Sequence, residues 1–263
     1  MRSVFSAGLL SGFLAAEFDP FDIGVGVSAG ALNLAAYLAG AAGPLRPLYE
    51  ELATRPETIS LARFVRGGHL VDVNRLLRQV CIGELDPACP RLVVVTTDLE
   101  TGDAQYHRPE PEDLRGALHA SAALPLLYRH FPEIAGRPQT DGGVADAVPV
   151  RYAVEADASR VLVVRSRPAG YRKRDTPVHW YIRRSLRHYP ALHRTLRRRV
   201  AIARDVGRFI AEPPDGIAIV EVGPPPELGL TRFMRSRAAI EAGFQAGRDC
   251  AHSAIRAWET ATG

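Results

Sequence analysis

Cysteine is scarce in this chain of 263 residues. Cys81, Cys89 and Cys250 are the only three. An odd, widely spaced set makes neither a disulfide framework nor a paired Cys-x-x-Cys metal site, and it fits a reducing compartment. Lysine is almost missing: Lys173 is the only one among 33 basic residues, the rest being arginine. No apolar run reaches the roughly 18 to 20 residues that a membrane span needs. Internal repeats and low-complexity tracts are absent too, so disordered, collagen-like and solenoid classes are excluded.

What is present is ordinary globular material. Hydrophobic residues make up 46% and charged residues 24%, enough for a sizeable core. The length suits one large domain, so the expectation is a single domain over 1–263. Charge is unevenly placed. Between Arg165 and Arg208 there are 14 basic residues and two acidic ones, and the remainder of the chain is net acidic.

Residues 1–18 (MRSVFSAGLLSGFLAAEF) resemble a weak signal peptide. The helical spacing of Phe5, Leu9, Phe13 and Ala16, broken by Ser3, Ser6 and Ser11, favours an amphipathic helix instead. Apolar runs predict strands over 21–27, 91–98, 160–165 and 216–222, with further strands over 104–107, 126–131 and 138–140. Helices are expected over 29–39, 47–54, 72–80, 111–122, 150–156 and 234–258, and through most of the basic segment 165–211. Strands that are apolar throughout and alternate with helices imply α/β architecture: three layers, with a mainly parallel sheet covered on both faces.

Gly26-Val27-Ser28-Ala29-Gly30 lies between a predicted strand and an Ala-rich helix. That is the context of a nucleophile elbow, in which serine sits on a sharp, strained turn between small neighbours. The helix starting there aims its N–H groups and positive end at a developing oxyanion. Two other readings fit the same residues. Ser28 could simply cap a helix. Gly24-x-Gly26-x-x-Ala29 also fits a loose dinucleotide fingerprint, but the acidic residues at the right distance, Glu50 and Glu51, fall inside a helical segment.

A serine nucleophile needs a base. The late histidines His179, His188, His193 and His252 lie in the arginine-rich stretch or in a helix. None follows a strand on an obvious loop. Asp141 in Thr140-Asp141-Gly142-Gly143 is better placed, although Asp-Gly-Gly taken alone is turn chemistry.

Two long blocks, FDIGVGVSAGALNLAAYLAG and ALHASAALPLLYRHFPEIAGRPQTDGGVADAVPV, stand in order with Ser28 and Asp141 about 110 residues apart. Together they resemble the bacterial branch of the patatin-like phospholipase family, and the resemblance extends over most of the chain. It implies a three-layer α/β/α fold and a Ser28–Asp141 dyad without a catalytic histidine, metal or organic cofactor. Gly26, Ala29, Gly30, Gly142 and Gly143 would shape the site. The implied substrates are lipid acyl esters such as phospholipids, cleaved through an acyl-enzyme. One feature departs from the family. Its Gly-Gly-Gly-x-Arg oxyanion loop is matched here only by Met1-Arg2, so Arg2 stands as the remnant of that motif, and the glycines and the strand before them have no counterpart. A start lying further upstream is the expectation. A catalytically silent relative that binds lipid or protein is an alternative, as is a soluble esterase with a Ser-Asp-His triad.

The basic residues between Arg172 and Arg199 are interleaved with Trp180, Tyr181 and Tyr189. They form a solvated arginine face or a peripheral contact with anionic membrane. No nucleic-acid recognition motif accompanies them, so no nucleic acid is expected. The expected location is cytoplasmic, peripheral at the inner membrane surface.

Overall fold

A computed structural model describes residues 1–40, 45–54, 60–70, 73, 77, 91–125, 128, 131–171, 186–232 and 234–261. The chain enters through helix α1 (Val4–Ala15) and reaches strand β1 (Gly24–Val27), then α2 (Ala29–Leu38), α3 (Leu45–Thr54) and α4 (Leu61–Val65). Next come β2 (Leu92–Asp98), β3 (Ala104–His107), α5 (Leu114–Ala122), β4 (Glu133–Ile134) and β5 (Arg137–Asp141). The order ends with α6 (Val150–Glu155), β6 (Arg160–Val164), α7 (Pro190–Ala211), β7 (Ala218–Val222) and α8 (Arg237–Thr260).

β2 is the hub. All seven of its residues are buried. Successive side chains of a strand point to opposite faces, so both faces of the sheet are covered, and the architecture is α/β/α. β1 runs parallel to β2, while β3 and β5 lie antiparallel to it and β4 joins β5. β6 and β7 form a separate parallel pair. Pairs closed by helical crossovers are parallel, and the mixed sheet grows by antiparallel additions at β3, β4 and β5. The β4–β5 hairpin turns at Ala135-Gly136, both at positive φ, as the right-handed strand twist favours.

Two sequence expectations need correction. α1 is not amphipathic: Val4 to Leu10 and Phe13 are all buried, because α8, α2 and α3 pack around it. Ser6, one of the serines that mimic a wet face, is satisfied internally. Asn33 Nδ2 donates to the Ser3 carbonyl (2.8 Å) and to Ser6 Oγ (3.0 Å), and Tyr49 donates to Asn33 Oδ1 (3.0 Å). This buried network ties α1, α2 and α3 together. The second correction concerns 111–122, where α5 begins only at Leu114. Asp113 and Leu114 both donate to the Glu110 carbonyl, so a turn occupies the acidic stretch. The helix expected over 72–80 lies outside the described residues apart from Val73 and Leu77, both in the core. The strand expected over 126–131 lies largely outside them as well, as do Cys81, Cys89 and residues 172–185.

α1 and α8 cross with their backbones in contact. A Cβ on Gly8 would overlap the Phe244 carbonyl oxygen, and one on Gly247 would overlap that of Phe5. Among the described residues no helix is long and apolar enough to cross a membrane.

Burial pushes the Tyr49 phenol well above its ordinary value. Unfolded phenols ionise near about 10, so the stability this group contributes is present below that pH and is lost as pH rises. Tyr49→Phe leaves Asn33 Oδ1 without its donor and is expected to cost about 1–3 kcal/mol at pH 7. Denaturant melts should show the gap between the two proteins narrowing above about pH 10.

Candidate functional site

The site is built on one edge of β2. β1 pairs with positions 92–95 of β2, β3 with 94–97 and β5 with 96–98. A strand has two edges, and β3 overlaps both others, so β1 and β5 share the opposite edge. They meet there end to end. Val27 stands opposite Val95, and Asp141 stands opposite Thr96, the next position. Ser28 follows Val27 directly, so the C-terminal ends of two strands deliver Ser28 and Asp141 to one point.

Ser28 turns the chain from β1 into α2 with φ 54° and ψ −129°. For a residue with a Cβ, this left-handed region costs on the order of 1–3 kcal/mol. Three neighbours hold it. The Ser28 N–H donates to Ser121 Oγ (2.8 Å), and the Ser121 hydroxyl donates to the Val95 carbonyl (2.6 Å). Gly26 lies against α2, where a Cβ would overlap Ala31 Cα. The amides of Ala31 and Leu32 turn back to the Ser28 carbonyl, which leaves those of Ala29 and Gly30 at the head of the helix. The equal need for glycine at both flanks, expected from the motif, does not hold. A Cβ on Gly30 would meet nothing within 4 Å.

Asp141 is buried, at 5% exposure. Its carboxylate Oδ1 accepts the Gly143 N–H (2.8 Å), which sets the orientation of the group. Thr97 Oγ1 donates to the Asp141 carbonyl (3.0 Å) and accepts the Ala145 N–H (3.2 Å). Gly142 presses on the backbone of β2, where a Cβ would overlap the Val95 carbonyl oxygen.

A cavity of about 1080 Å³ opens beside these groups and is lined by Ser28, Asp141, Arg2, Gly26, Ala29, Gly30 and Gly143. Gly142 alone of the sequence-predicted set is not on its wall. The cavity runs between β1 and β6, each of which pairs on one side only among the described residues.

Residues 1–154, more than half of the chain, match the family model described as patatin-like phospholipase. The chain belongs to the patatin-like phospholipase family. At the level of the family, the function is lipid acyl hydrolysis. Residues 189–262 match a domain of unknown function (DUF6363). Over 262 residues the chain is 29% identical to the uncharacterized protein YjjU of Escherichia coli strain K12, covering 95% of this chain and 72% of that protein. α1 lies in the first matched stretch and α8 in the second, so the two stretches share a core.

Arg2 of this patatin-like chain borders the cavity, and its guanidinium is pulled down to about 10. Burial is the main cause. The charges of Arg167 and Arg232 add to it, and Tyr171 and Asp141 oppose it. None of the described histidines lines the cavity. His193 is engaged with the Leu186 carbonyl, His188 with Arg187, and His252 is exposed on α8. His179 lies outside the described residues. Glu50 is ion-paired to Arg46 and Arg237, away from the glycine turn.

Sequence reasoning did not single out Ser121, Thr97, Arg167 or Arg232. Ser121 and Thr97 had a signal, since Thr97 continues the apolar run Leu92–Val95 and Ser121 stands among alanines at the end of α5. The arginines had none, because arginine is common throughout this chain.

Gly26→Ala is expected to destabilise by about 1–3 kcal/mol through overpacking. Gly30→Ala should leave stability unchanged or raise it by up to about 1 kcal/mol. Parallel denaturant melts check both. Ser121→Ala leaves the Ser28 N–H without its acceptor and should cost about 1–3 kcal/mol, read the same way.

Proposed function

We propose that this chain is a serine lipid acyl hydrolase that cleaves carboxylic esters of phospholipids or related lipids. Ser28 is the nucleophile and Asp141 the general base. The observation that carries the reading is the meeting of β1 and β5 on adjacent positions of β2, with a strained serine at the end of one and a buried carboxylate at the end of the other. Family membership supplies the substrate class.

In this mechanism the Ser28 hydroxyl gives its proton to the Asp141 carboxylate as Oγ attacks the ester carbonyl carbon. The carbonyl oxygen becomes an oxyanion facing the amides at the head of α2, those of Ala29 and Gly30. Asp141 passes the proton to the departing alcohol, leaving an acyl-serine. Asp141 then takes a proton from water, whose oxygen attacks the acyl carbon, and returns it to Ser28 Oγ as the fatty acid leaves. One ester and one water yield one alcohol and one acid. No metal or organic cofactor takes part. A triad using a late histidine lacks support, since no described histidine lines the cavity.

Acyl chains would lie along the apolar walls of the cavity, among them Leu34, Val148, Leu162, Ile202 and Val206. α7 has two sides. Leu196, Ile202 and Val206 line the cavity, while Arg194, Arg197, Arg198, Arg204 and Arg208 are exposed. An exposed arginine face above an apolar cavity suits peripheral contact with an anionic membrane, in line with a cytoplasmic protein working at the inner membrane surface. The whole chain would act as a single domain, with the C-terminal stretch covering the site.

Treatment with a fluorophosphonate probe followed by peptide mass spectrometry tests the nucleophile. A single adduct on Ser28 is expected, absent in Ser28→Ala and slowed about 10²-fold or more in Asp141→Asn. An adduct on a different serine, or none on folded protein, would overturn the reading.

A further inference from the structure

After β5 the chain forms one wall of the cavity. Of residues 141–150, all but Gly142 and Asp146 line it. Those two are turned away and meet the sheet. Gly142 lies against the Val95 carbonyl of β2. Asp146 meets Tyr106 of β3, whose hydroxyl donates to Asp146 Oδ2 (2.8 Å). The other carboxylate oxygen, Oδ1, accepts the Val148 N–H (3.2 Å), and the Asp146 N–H donates to the Gly142 carbonyl (2.9 Å). Asp146 thus ties both limbs of the turn to one hydroxyl. The Tyr106 ring in turn stacks on that of Tyr152 in α6, with centroids 4.1 Å apart and planes 11° from parallel.

Tyr106 stands opposite Val95, and Thr97 lies two positions further along β2, so both hydroxyls rise from one face of the sheet. Thr97 holds the first part of the turn, through the Asp141 carbonyl and the Ala145 N–H, and Tyr106 holds the second. Burial raises the Asp146 carboxyl above its ordinary value. The hydrogen bonds from Tyr106 and Val148 and the charge of Arg151 pull the other way, and Glu155 adds to the rise. Burial and the Asp146 charge push the Tyr106 phenol up as well, so it keeps its proton and remains a donor. A partly buried carboxylate that loses one of its two donors must find water or move. On this turn a move displaces Gly143, whose N–H orients the Asp141 carboxylate (2.8 Å).

We propose that Tyr106 and Asp146 are positioning residues. They pin the Asp141 turn from the side away from the cavity and hold its carboxylate where it takes the Ser28 proton. Neither borders the cavity, so both act through Asp141. The proposal rests on the hydrolase reading for the step it serves, and one of its readouts needs no reaction.

Tyr106→Phe removes the hydroxyl and keeps the ring on Tyr152. Amide exchange followed by NMR is the first readout. The Gly143 and Ala145 amides bond to neither Tyr106 nor Asp146, and they are expected to exchange about fivefold faster or more in the variant. Fluorophosphonate labelling of Ser28 is the second, and it should slow about tenfold or more. Third, the pH at which labelling falls off on the acid side should move up. The Gly143 bond to Asp141 favours the ionised carboxylate, and it weakens as the turn loosens. A role in folding alone would lower the melting temperature and leave this limb in place. Asp146→Asn keeps an acceptor for the Tyr106 hydroxyl, so it should slow labelling less than Tyr106→Phe does. If Tyr106→Phe does not fold, Asp146→Leu carries the same three readouts, because it removes the acceptor instead of the donor. Unchanged exchange at Gly143 and Ala145, or an acid limb that stays in place, would overturn the positioning role. Labelling of the unsubstituted chain reports separately. A chain that labels at Ser28 as fast in Tyr106→Phe as without it loses only the positioning pair. One that does not label, yet exchanges faster in the variant, keeps the pinned turn and loses only the hydrolase reading.

Discussion

One edge of β2 sets the geometry of this protein. β1 approaches it in parallel and β5 in the antiparallel sense, and each stops where the other begins. A strand edge offers its hydrogen-bonding positions once, so the two ladders cannot overlap and their ends must meet. The residues just past those ends, Ser28 on one side and the Asp141-Gly142-Gly143 turn on the other, therefore share a point whatever the intervening chain does. The approach is close enough that Gly142 has no room for a side chain against Val95.

That junction stores strain and needs support. Ser28 occupies backbone space that a residue with a Cβ avoids, and the surrounding contacts outweigh the cost. Ser121 links the Ser28 amide to the Val95 carbonyl, so α5 clamps the turn to the same position of β2 that pairs with Val27. Thr97, two positions on, holds the aspartate turn through its hydroxyl. Polar residues in the interior of β2 and α5 thus replace water as partners for backbone groups that would otherwise be buried unpaired. Behind the site, the Asn33 network and the glycine contacts of α1 with α8 join the N-terminal and C-terminal stretches into a common core.

Local signals in the chain were legible where one residue type answers one physical demand. The run of β-branched residues at Leu92–Asp98, the glycine two residues before Ser28 and the Asp-Gly-Gly turn each read correctly as strand, elbow and tight turn. The misread elements were those whose environment comes from remote chain. Ser3 and Ser6 look like the wet face of a surface helix, yet they face Asn33 from α2. Gly30 looks like a steric necessity, yet a side chain there would enter open cavity. Arg167 and Arg232 are two arginines among many until the fold sets them beside Arg2.

By itself the sequence determined the alternation of strand and helix, the elbow at Ser28, the carboxylate turn at Asp141 and the family to which both blocks belong. The first three follow from spacing and from local backbone demands, which neighbouring residues impose; the family follows from the resemblance of the two blocks. Only the tertiary structure decided which strand edge the two motifs share, which buried hydroxyls hold them, and which arginines border the cavity. Those outcomes depend on pairing register and on contacts between segments up to some 230 residues apart, such as Met1 with Arg232, and no local pattern encodes them.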